Sequence, residues 1–555
     1  MSKVCGLIKN ELIKQYKKTS VKVIVILILL ASIMLPVALK FLQNRDESKW
    51  YINSYNQDIQ WQQTEITNID SSKKNKDIQK KIFEENIKKS QTLIDSNVSW
   101  DDWRNEVAGE ASNKSKEAIV LSGISEGLAG EELFFNIHEF DVNMFNEYLG
   151  MSKDELQKII TSKNKESKEL YDSVIKNDYL VYLDKNIKSS KEEIKNLKST
   201  IKTSEDEVKK NPNNKNFVTS LENSKIQLDA LEKRLKATEY RYNNKIPYDN
   251  KNWKNNTIRD ISYKIDENGE RLLSETEFTQ YNSEKIAKGY TYEEYKKDYE
   301  KKTKSIEQAI VLDWYSLENN IPQVKFDNDI RNSVDRTYLM YVSVAIILCI
   351  IIGGGIVSSE YSTGTVRLLM IRPVSRWKIL FSKLVSVFII GYGVLLTTVI
   401  LNIISSGIVN GFGGLATKVI SFSGESIVQQ SFVISIIPKL LFSSISLIFI
   451  IALVFAISTI IKNTALAVGL TTVAYLGSSV ATMIMASLGM RWVGKTILPY
   501  MNLSTFITNS QYVEMFKSEY SIVLSSTMGA IQLIVFATIL IIASFLVFQK
   551  RDVMN

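Results

Sequence analysis

Residues 338–357 read YLMYVSVAIILCIIIGGGIV, a run without one charged side chain. A helix rises about 1.5 Å per residue, so this run reaches across about 30 Å of hydrocarbon with its backbone hydrogen bonds satisfied internally. Charge-free cores of spanning length recur at 23–39, 384–409, 440–461, 464–488 and 521–548. The shortest, 23–39, holds a dozen Ile, Leu and Val residues, and Lys22 and Lys40 at its ends are placed to snorkel. Each such residue favours insertion by roughly 0.3–0.6 kcal/mol at the helix centre, which outweighs the single Pro36. A basic leader followed by an apolar core is also the form of a signal peptide. This core is longer than an h-region, however, and Val37-Ala38-Leu39-Lys40 offers no small-x-small cleavage site, so a retained helix is expected.

The mean hydropathy, close to zero, averages two unlike populations. Residues 43–337 are rich in Lys, Asn, Glu and Ser, whereas 338–549 are dominated by Ile, Leu, Val, Phe, Gly and Ser. The net charge of +8 is modest for 555 residues and forms no basic stripe interleaved with aromatics. Membrane topology and a solvated surface account for it, and no nucleic-acid partner is expected. Lys3, Lys9, Lys14, Lys17, Lys18 and Lys22 precede the first span, and Arg367, Arg372, Arg376, Lys378 and Lys383 follow the second. Lys462 separates the fourth and fifth spans, and Lys550-Arg551 follow the sixth; the alternate loops carry fewer cations. The positive-inside rule therefore puts both termini in the cytoplasm and residues 43–337 outside, where a long domain translocates whatever its charge.

The expected fold is an all-α membrane protein of six transmembrane helices with a large, mainly helical extracellular domain that contains a coiled-coil hairpin. Residues 1–20 form a cytoplasmic amphipathic interfacial helix, with Val4, Leu7, Ile8, Leu12 and Tyr16 on one face, and 21–42 the first span. The extracellular domain is 43–337, the second span 338–357 and a cytoplasmic coupling loop 358–383. The third span is 384–409, an extracellular loop 410–439, and the fourth and fifth spans 440–461 and 464–488. An extracellular loop with short helices, 489–520, leads to the sixth span, 521–549, and a cytoplasmic tail, 550–555.

Within 43–337, Ile187, Ile194, Leu197, Ile201 and Val208 repeat at heptad-like spacing, as do Leu221, Leu228, Leu231 and Leu235 after the breaker Asn211-Pro212-Asn213-Asn214. Ser190, Ser204 and Ser224 make the seam imperfect. An antiparallel hairpin is the simplest reading, an intermolecular coil the alternative. Lys73–Leu93, Ser152–Ile160 and Tyr292–Ile310 also read as helices, and the stretch 119–151, with Phe134, Phe135 and Phe145, as a small packed base. Trp50, Trp61, Trp100, Trp103, Trp253 and Trp314 read as core or membrane-proximal anchors rather than a ligand cage. Two cysteines, Cys5 and Cys349, cannot make a disulfide scaffold, so packing must hold the domain. The lone His138 reads as a surface or satisfied residue, and no metal, cofactor or catalytic group is expected.

Residues 489–496, GMRWVGKT, satisfy the phosphate-loop pattern GxxxxGK[ST]. Phosphate binding needs a strand leading in, a helix starting at Lys-Thr and an acidic magnesium partner. Here a transmembrane helix precedes the run and Pro499 follows it closely, so a Gly-punctuated external turn is expected instead. Leu121-Ser122-Gly123, the start of a transporter-ATPase signature, is likewise external and without its partners.

The loop after the second span is different. It reads EYSTGTVRLLMIRPVSRWKILFSK over 360–383. Glu360 ends the helix leaving the membrane, Gly364 permits a tight bend, and Leu368, Leu369 and Ile371 form an apolar surface among Arg367, Arg372 and Arg376. Pro373 breaks that segment and Ser375 can cap the helix that runs into the third span. A short, basic and apolar helix parallel to the inner membrane face suits a cytoplasmic docking partner; an ordinary positive-inside loop is the plainer alternative.

This run resembles the hallmark of the ABC-2 type permeases: an acidic residue, Gly-Thr, a Leu pair, Pro, Ser-Arg and Lys. The matching positions are Glu360, Gly364-Thr365, Leu368-Leu369, Pro373, Ser375-Arg376 and Lys383, and Tyr361 and Arg372 join them as expected ATPase-coupling residues. The resemblance extends to the amphipathic N-terminal helix, the six spans, the short helices near Leu498-Pro499-Tyr500 and the tail Phe548-Gln549-Lys550-Arg551-Asp552, about half the chain. It implies a bacterial plasma-membrane exporter subunit that is not itself an enzyme. Its loop would seat in a cytoplasmic ABC ATPase, and a second permease, identical or not, would complete the path. Drugs, antimicrobial peptides or envelope components are the cargo classes implied. Two alternatives keep the topology: a secretion accessory or surface receptor whose external coiled coil is the working part, and a sensor of envelope-active peptides coupled to an ATPase.

Overall fold

The computed structural model describes residues 2–43, 48–100, 102–129, 132, 142–212, 214–287, 289–365, 374–461 and 463–550. Two compact units result: residues 1–43 with 272–555, and residues 44–271. His138, Phe134, Phe135, Arg551 and Asp552 lie outside the described residues.

In the first unit, α1 (Ser2–Lys17) and α2 (Thr19–Gln43) are separated by Lys18 alone. The second unit holds α3 (Ser48–Thr67), α4 (Lys76–Asp95), α5 (Trp103–Ser125), α6 (Lys153–Lys176), α7 (Tyr179–Lys210), α8 (Lys215–Asn243) and α9 (Trp253–Glu267). The chain then returns to the first unit with α10 (Tyr292–Glu318) and α11 (Ile330–Asp335). Next come α12 (Met340–Ile356), α13 (Ser358–Ser362) and α14 (Arg376–Asn410). Further helices are α15 (Phe432–Ile460), α16 (Thr464–Ser487), α17 (Ser510–Tyr520) and α18 (Ser526–Lys550).

Among the described residues six helices are long and apolar enough to cross a membrane: α2, the nearly continuous Ile330–Ser362 run, α14, α15, α16 and α18. This is an all-α, multi-pass membrane protein. Its helices differ in length from the charge-free cores. α14 begins at Arg376, eight residues before the core at 384, because Trp377 and Phe381 pair their rings at 6.3 Å along one side of the added turns. α15 begins at Phe432 and carries Pro438 inside it, where the missing N–H leaves the Ile434 carbonyl without its helical partner.

Lipid tails are as apolar as leucine, so these helices are held together by close fit rather than by escape from water. The α12 glycines show it. A methyl group on Gly353 would lie 2.6 Å from Val454 Cγ1 of α15, and one on Gly354 would collide with Val468 of α16. Gly391 of α14 meets the buried Cys349 in the same way, whereas Cys5 is exposed.

Lys40 at the end of α2 donates to Asn410 at the end of α14, so these two ends share one side of the bundle. Here the chain forms a polar cap centred on the fully buried Arg331. Its guanidinium meets Asp329 at 2.6 Å and Asp327 at 3.2 Å, and donates to the carbonyls of Pro322 and Lys418. Lys418 precedes a β-hairpin the sequence reading did not anticipate. Strands β1 (Val419–Ser423) and β2 (Ser426–Gln430) pair antiparallel from Val419 opposite Gln430 to Ser423 opposite Ser426. Gly424, at φ +66°, starts its two-residue turn. Gln429 donates to the Tyr315 hydroxyl of α10 at 2.9 Å. Composition groups 272–335 with the preceding polar residues, but these bonds join it to the unit that crosses the membrane.

The GMRWVGKT run follows helix α16 and folds as a 3-10 turn, Arg491–Lys495. Tyr500 donates its hydroxyl to the Gly494 carbonyl at 2.9 Å, so a packed corner stands where a phosphate loop needs an open one.

In the second unit, Ser152 and Glu155 form a capping box that starts α6. Ile78, Ile82, Leu121, Ile124, Phe145, Leu156 and Ile160 pack into one core, which includes the expected base. Trp103 belongs to a second core with Tyr182, while Trp50, Trp61 and Trp100 are at least half exposed. Helices α7 and α8 run antiparallel. Lys191 pairs with Glu239, Lys198 with Glu232 and Lys225 with Glu205, so successive pairs step seven residues up one helix and seven down the other. Ile187, Ile194 and Ile201 are buried along this seam.

Candidate functional site

The site lies at the end of the bundle opposite the Arg331 cap, where α1, α13, the start of α14 and the end of α18 meet. The helix of the second span breaks at Val357, just after the glycines. Val357 N and Ser358 N, released from the helical ladder, donate to Ser458 Oγ of α15 at 3.4 and 3.1 Å. One further turn, α13, carries Glu360 inward. The chain then turns at Gly364, where φ is +70° and Gly364 N donates to Tyr361 O at 3.2 Å. Among the described residues a side chain there would meet nothing within 4 Å, and the backbone angle by itself calls for glycine.

Glu360 and Lys383 close the base of this loop. Lys383 Nζ lies 2.7 Å from Glu360 Oε1 and 3.0 Å from Glu11 Oε1, and Lys14 Nζ lies 2.7 Å from Glu360 Oε1. Lys383 is 1% exposed and Glu360 4%, so two residues expected on a docking surface are interior. Charge-assisted bonds in so dry a place are short and strong, and each ion depends on its partners for solvation. Ser386 Oγ adds a 3.4 Å bond to the Ile8 carbonyl, fastening α1 along α14. The α1 face turned inward is thus Ile8, Glu11 and the buried Gln15, while Tyr16 is 71% exposed. Burial, then the ammonium groups of Lys14 and Lys383, holds Lys18 below its ordinary value of 10.5.

Around this base, Tyr361 is half-buried, Gly364 and Thr365 are exposed, and Thr365 Oγ1 reaches the Glu360 carbonyl at 3.5 Å. Ser375 occupies the N-cap position of α14 without a capping side-chain bond. Arg376 Nη1 donates to Gln549 O at 3.2 Å, joining the loop to the end of α18. Leu368, Leu369, Arg372 and Pro373, with the expected short helix that carries them, lie outside the described residues.

A family model described as protein of unknown function (DUF2705) matches residues 307–554. The match begins inside α10 and takes in the whole candidate site except α1, leaving residues 44–271 uncovered. The Bacillus subtilis (strain 168) "Uncharacterized protein YhcI" is 28% identical over 253 residues, 45% of this chain and 76% of that protein. No solved structure matches.

Glu11 and Lys14 are the site residues that sequence reading missed. A signal existed: Glu11 is the single acid before the first span, surrounded by lysines. An isolated carboxylate in a basic segment at a membrane face is a candidate for an inward ion pair.

Proposed function

We propose that the chain is the membrane subunit of an ATP-driven exporter of the ABC-2 permease type, coupled to a separate cytoplasmic ATPase through residues 360–383. The observation that carries this reading is the Glu360–Lys383 ion pair, joined to α1 through Glu11 and Lys14. A loop closed at its base by a buried pair transmits a push at its tip to α1, α12 and α14 together, whereas a loosely tethered loop absorbs it. In this reading Gly364, Thr365 and Arg376 sit beside the partner, and Leu368, Leu369, Arg372 and Pro373 supply the docking surface. Ser375 starts the helix, Tyr361 packs behind it, and Glu360 and Lys383 are positioning residues. ATP is hydrolysed on the partner, not on this chain. A second permease, identical or not, completes the path.

The site end of the bundle and both termini face the cytoplasm of a bacterial cell, following the lysines and arginines of 1–22 and 367–383. Residues 44–271 are then extracellular, with α7 and α8 as an antiparallel coiled coil; cargo is a drug, an antimicrobial peptide or an envelope component. The test is co-purification of the full-length chain from its native membrane. The reading expects an ATP-hydrolysing subunit to accompany it, lost with Arg376→Glu or Gly364→Trp.

A second reading rests on a different observation: residues 44–271 form a unit with cores of their own. A surface receptor or secretion accessory would use that unit as the working part and the spans as an anchor. No ATPase would then co-purify under any condition.

A further inference from the structure

In the 44–271 unit, the starts of α5 and α9 and the end of α8 border an open cleft of about 760 Å³. Two arginines line it. Arg241 is 4% exposed, and its Nη1 donates to Asn255 Oδ1 at 2.8 Å and Pro247 O at 3.5 Å, while the guanidinium lies 3.9 Å above the Tyr248 ring. Arg259, at the exposed rim, donates to Asn250 Oδ1 at 2.8 Å and Asn256 Oδ1 at 3.4 Å. Every one of these acceptors is neutral, and no carboxylate pairs with either arginine among the described residues.

The acids nearby do not compensate. Asp102 is tied to Arg104 at 2.6 Å, Asp249 Oδ1 accepts from the Lys251 backbone at 2.8 Å, and Glu106 is exposed to solvent. A buried guanidinium without a counter-ion is costly, and its Nε and Nη2 donate no hydrogen bond among the described residues. Its planar fork matches a carboxylate or phosphate with two parallel bonds. Trp100, half exposed and packed against Trp50 at 4.5 Å, lines the same cleft and adds apolar surface to it. The volume suits a small organic ligand.

We propose that this cleft binds a small organic anion, its carboxylate or phosphate held by Arg241 and Arg259 and its apolar body laid against Trp100. The full-length protein in nanodiscs is titrated with N-acetyl-Phe-Ala, with the C-terminal amide of that dipeptide and with phenyl phosphate, and tryptophan emission is followed. Saturable change is expected with the free carboxylate or the phosphate and not with the amide; the tighter anion identifies the headgroup. Arg241→Gln removes a buried side chain and risks the fold, so the rim variant Arg259→Gln carries the decision. It is expected to weaken binding by about tenfold or more, the loss of a charged hydrogen bond. Saturation by neither anion, equal binding of the amide, or unchanged affinity in Arg259→Gln would overturn the proposal.

Discussion

Lys383 and Glu360 meet at 2.7 Å from opposite ends of a loop, both buried, in a pair that stands 23 residues apart in sequence. The loop between them is thereby closed at its base. Truncating Lys383 takes from Glu360 its buried partner, leaving the half-exposed Lys14, and takes from Glu11 its ion pair. Lys383→Met is therefore expected to destabilise the protein by about 3–5 kcal/mol. Thermal unfolding in detergent checks this. Adding Glu360→Gln to Lys383→Met should restore part of the loss, because the stranded carboxylate is gone; purely additive losses would show that the pair is not coupled.

The glycines of α12 make a graded prediction. Gly354→Ala pushes a methyl group into Val468, and Gly353→Ala places one 2.6 Å from Val454 Cγ1, so each is expected to cost about 1–3 kcal/mol. Gly355→Ala meets Thr464 Cγ2 at an ordinary 3.4 Å and should leave the melting temperature nearly unchanged. Equal effects at all three positions would contradict the packing described.

Gly364 is required for its backbone angle. Gly364→Ala should cost about 1–2 kcal/mol through the left-handed conformation alone. Gly364→Asn, which tolerates that conformation, should cost less. The comparison is made by chemical denaturation of the two variants side by side.

Lys18 gives a pH dependence of definite sign. Its folded-state value lies below 10.5, so between the two values the unfolded chain binds more protons and stability rises with pH. Melting temperature should climb from neutral pH toward 10.5. Lys18→Met should raise it at neutral pH and flatten the climb, because burial and the charges of Lys14 and Lys383 no longer act on an ammonium group.

Much of this was legible in sequence, for physical reasons. Charge exclusion over some twenty residues marks a span almost alone, so the six helices were found. The helix formers and spaced apolar residues of Ser152–Ile160 and the seven-residue steps along Ile187, Ile194 and Ile201 are local signals, and they located α6 and α7. What escaped depends on distance. Glu11 joins Lys383 across 372 positions, and nothing in a sequence pattern pairs them. The β-hairpin was local enough to find, since Ser423-Gly424-Glu425-Ser426 is a two-residue turn between β-branched runs. Its strands are five residues each, too short for their alternation to stand out beside the flanking spans. Residues 272–335 joined the membrane unit through Arg331 and Tyr315, whose partners lie in a later loop.

If residues 360–383 dock an ATPase, a probe on the exposed part of that loop lies against it. A photo-crosslinking residue placed at the exposed Thr365, with the exposed Val473 of the apolar helix α16 as control, tests this in native membranes of cells producing the full-length chain. Capture of an ATP-hydrolysing subunit from position 365 and not from position 473 is the predicted result. Failure to capture one from position 365, while the chain is folded and inserted, would contradict the account.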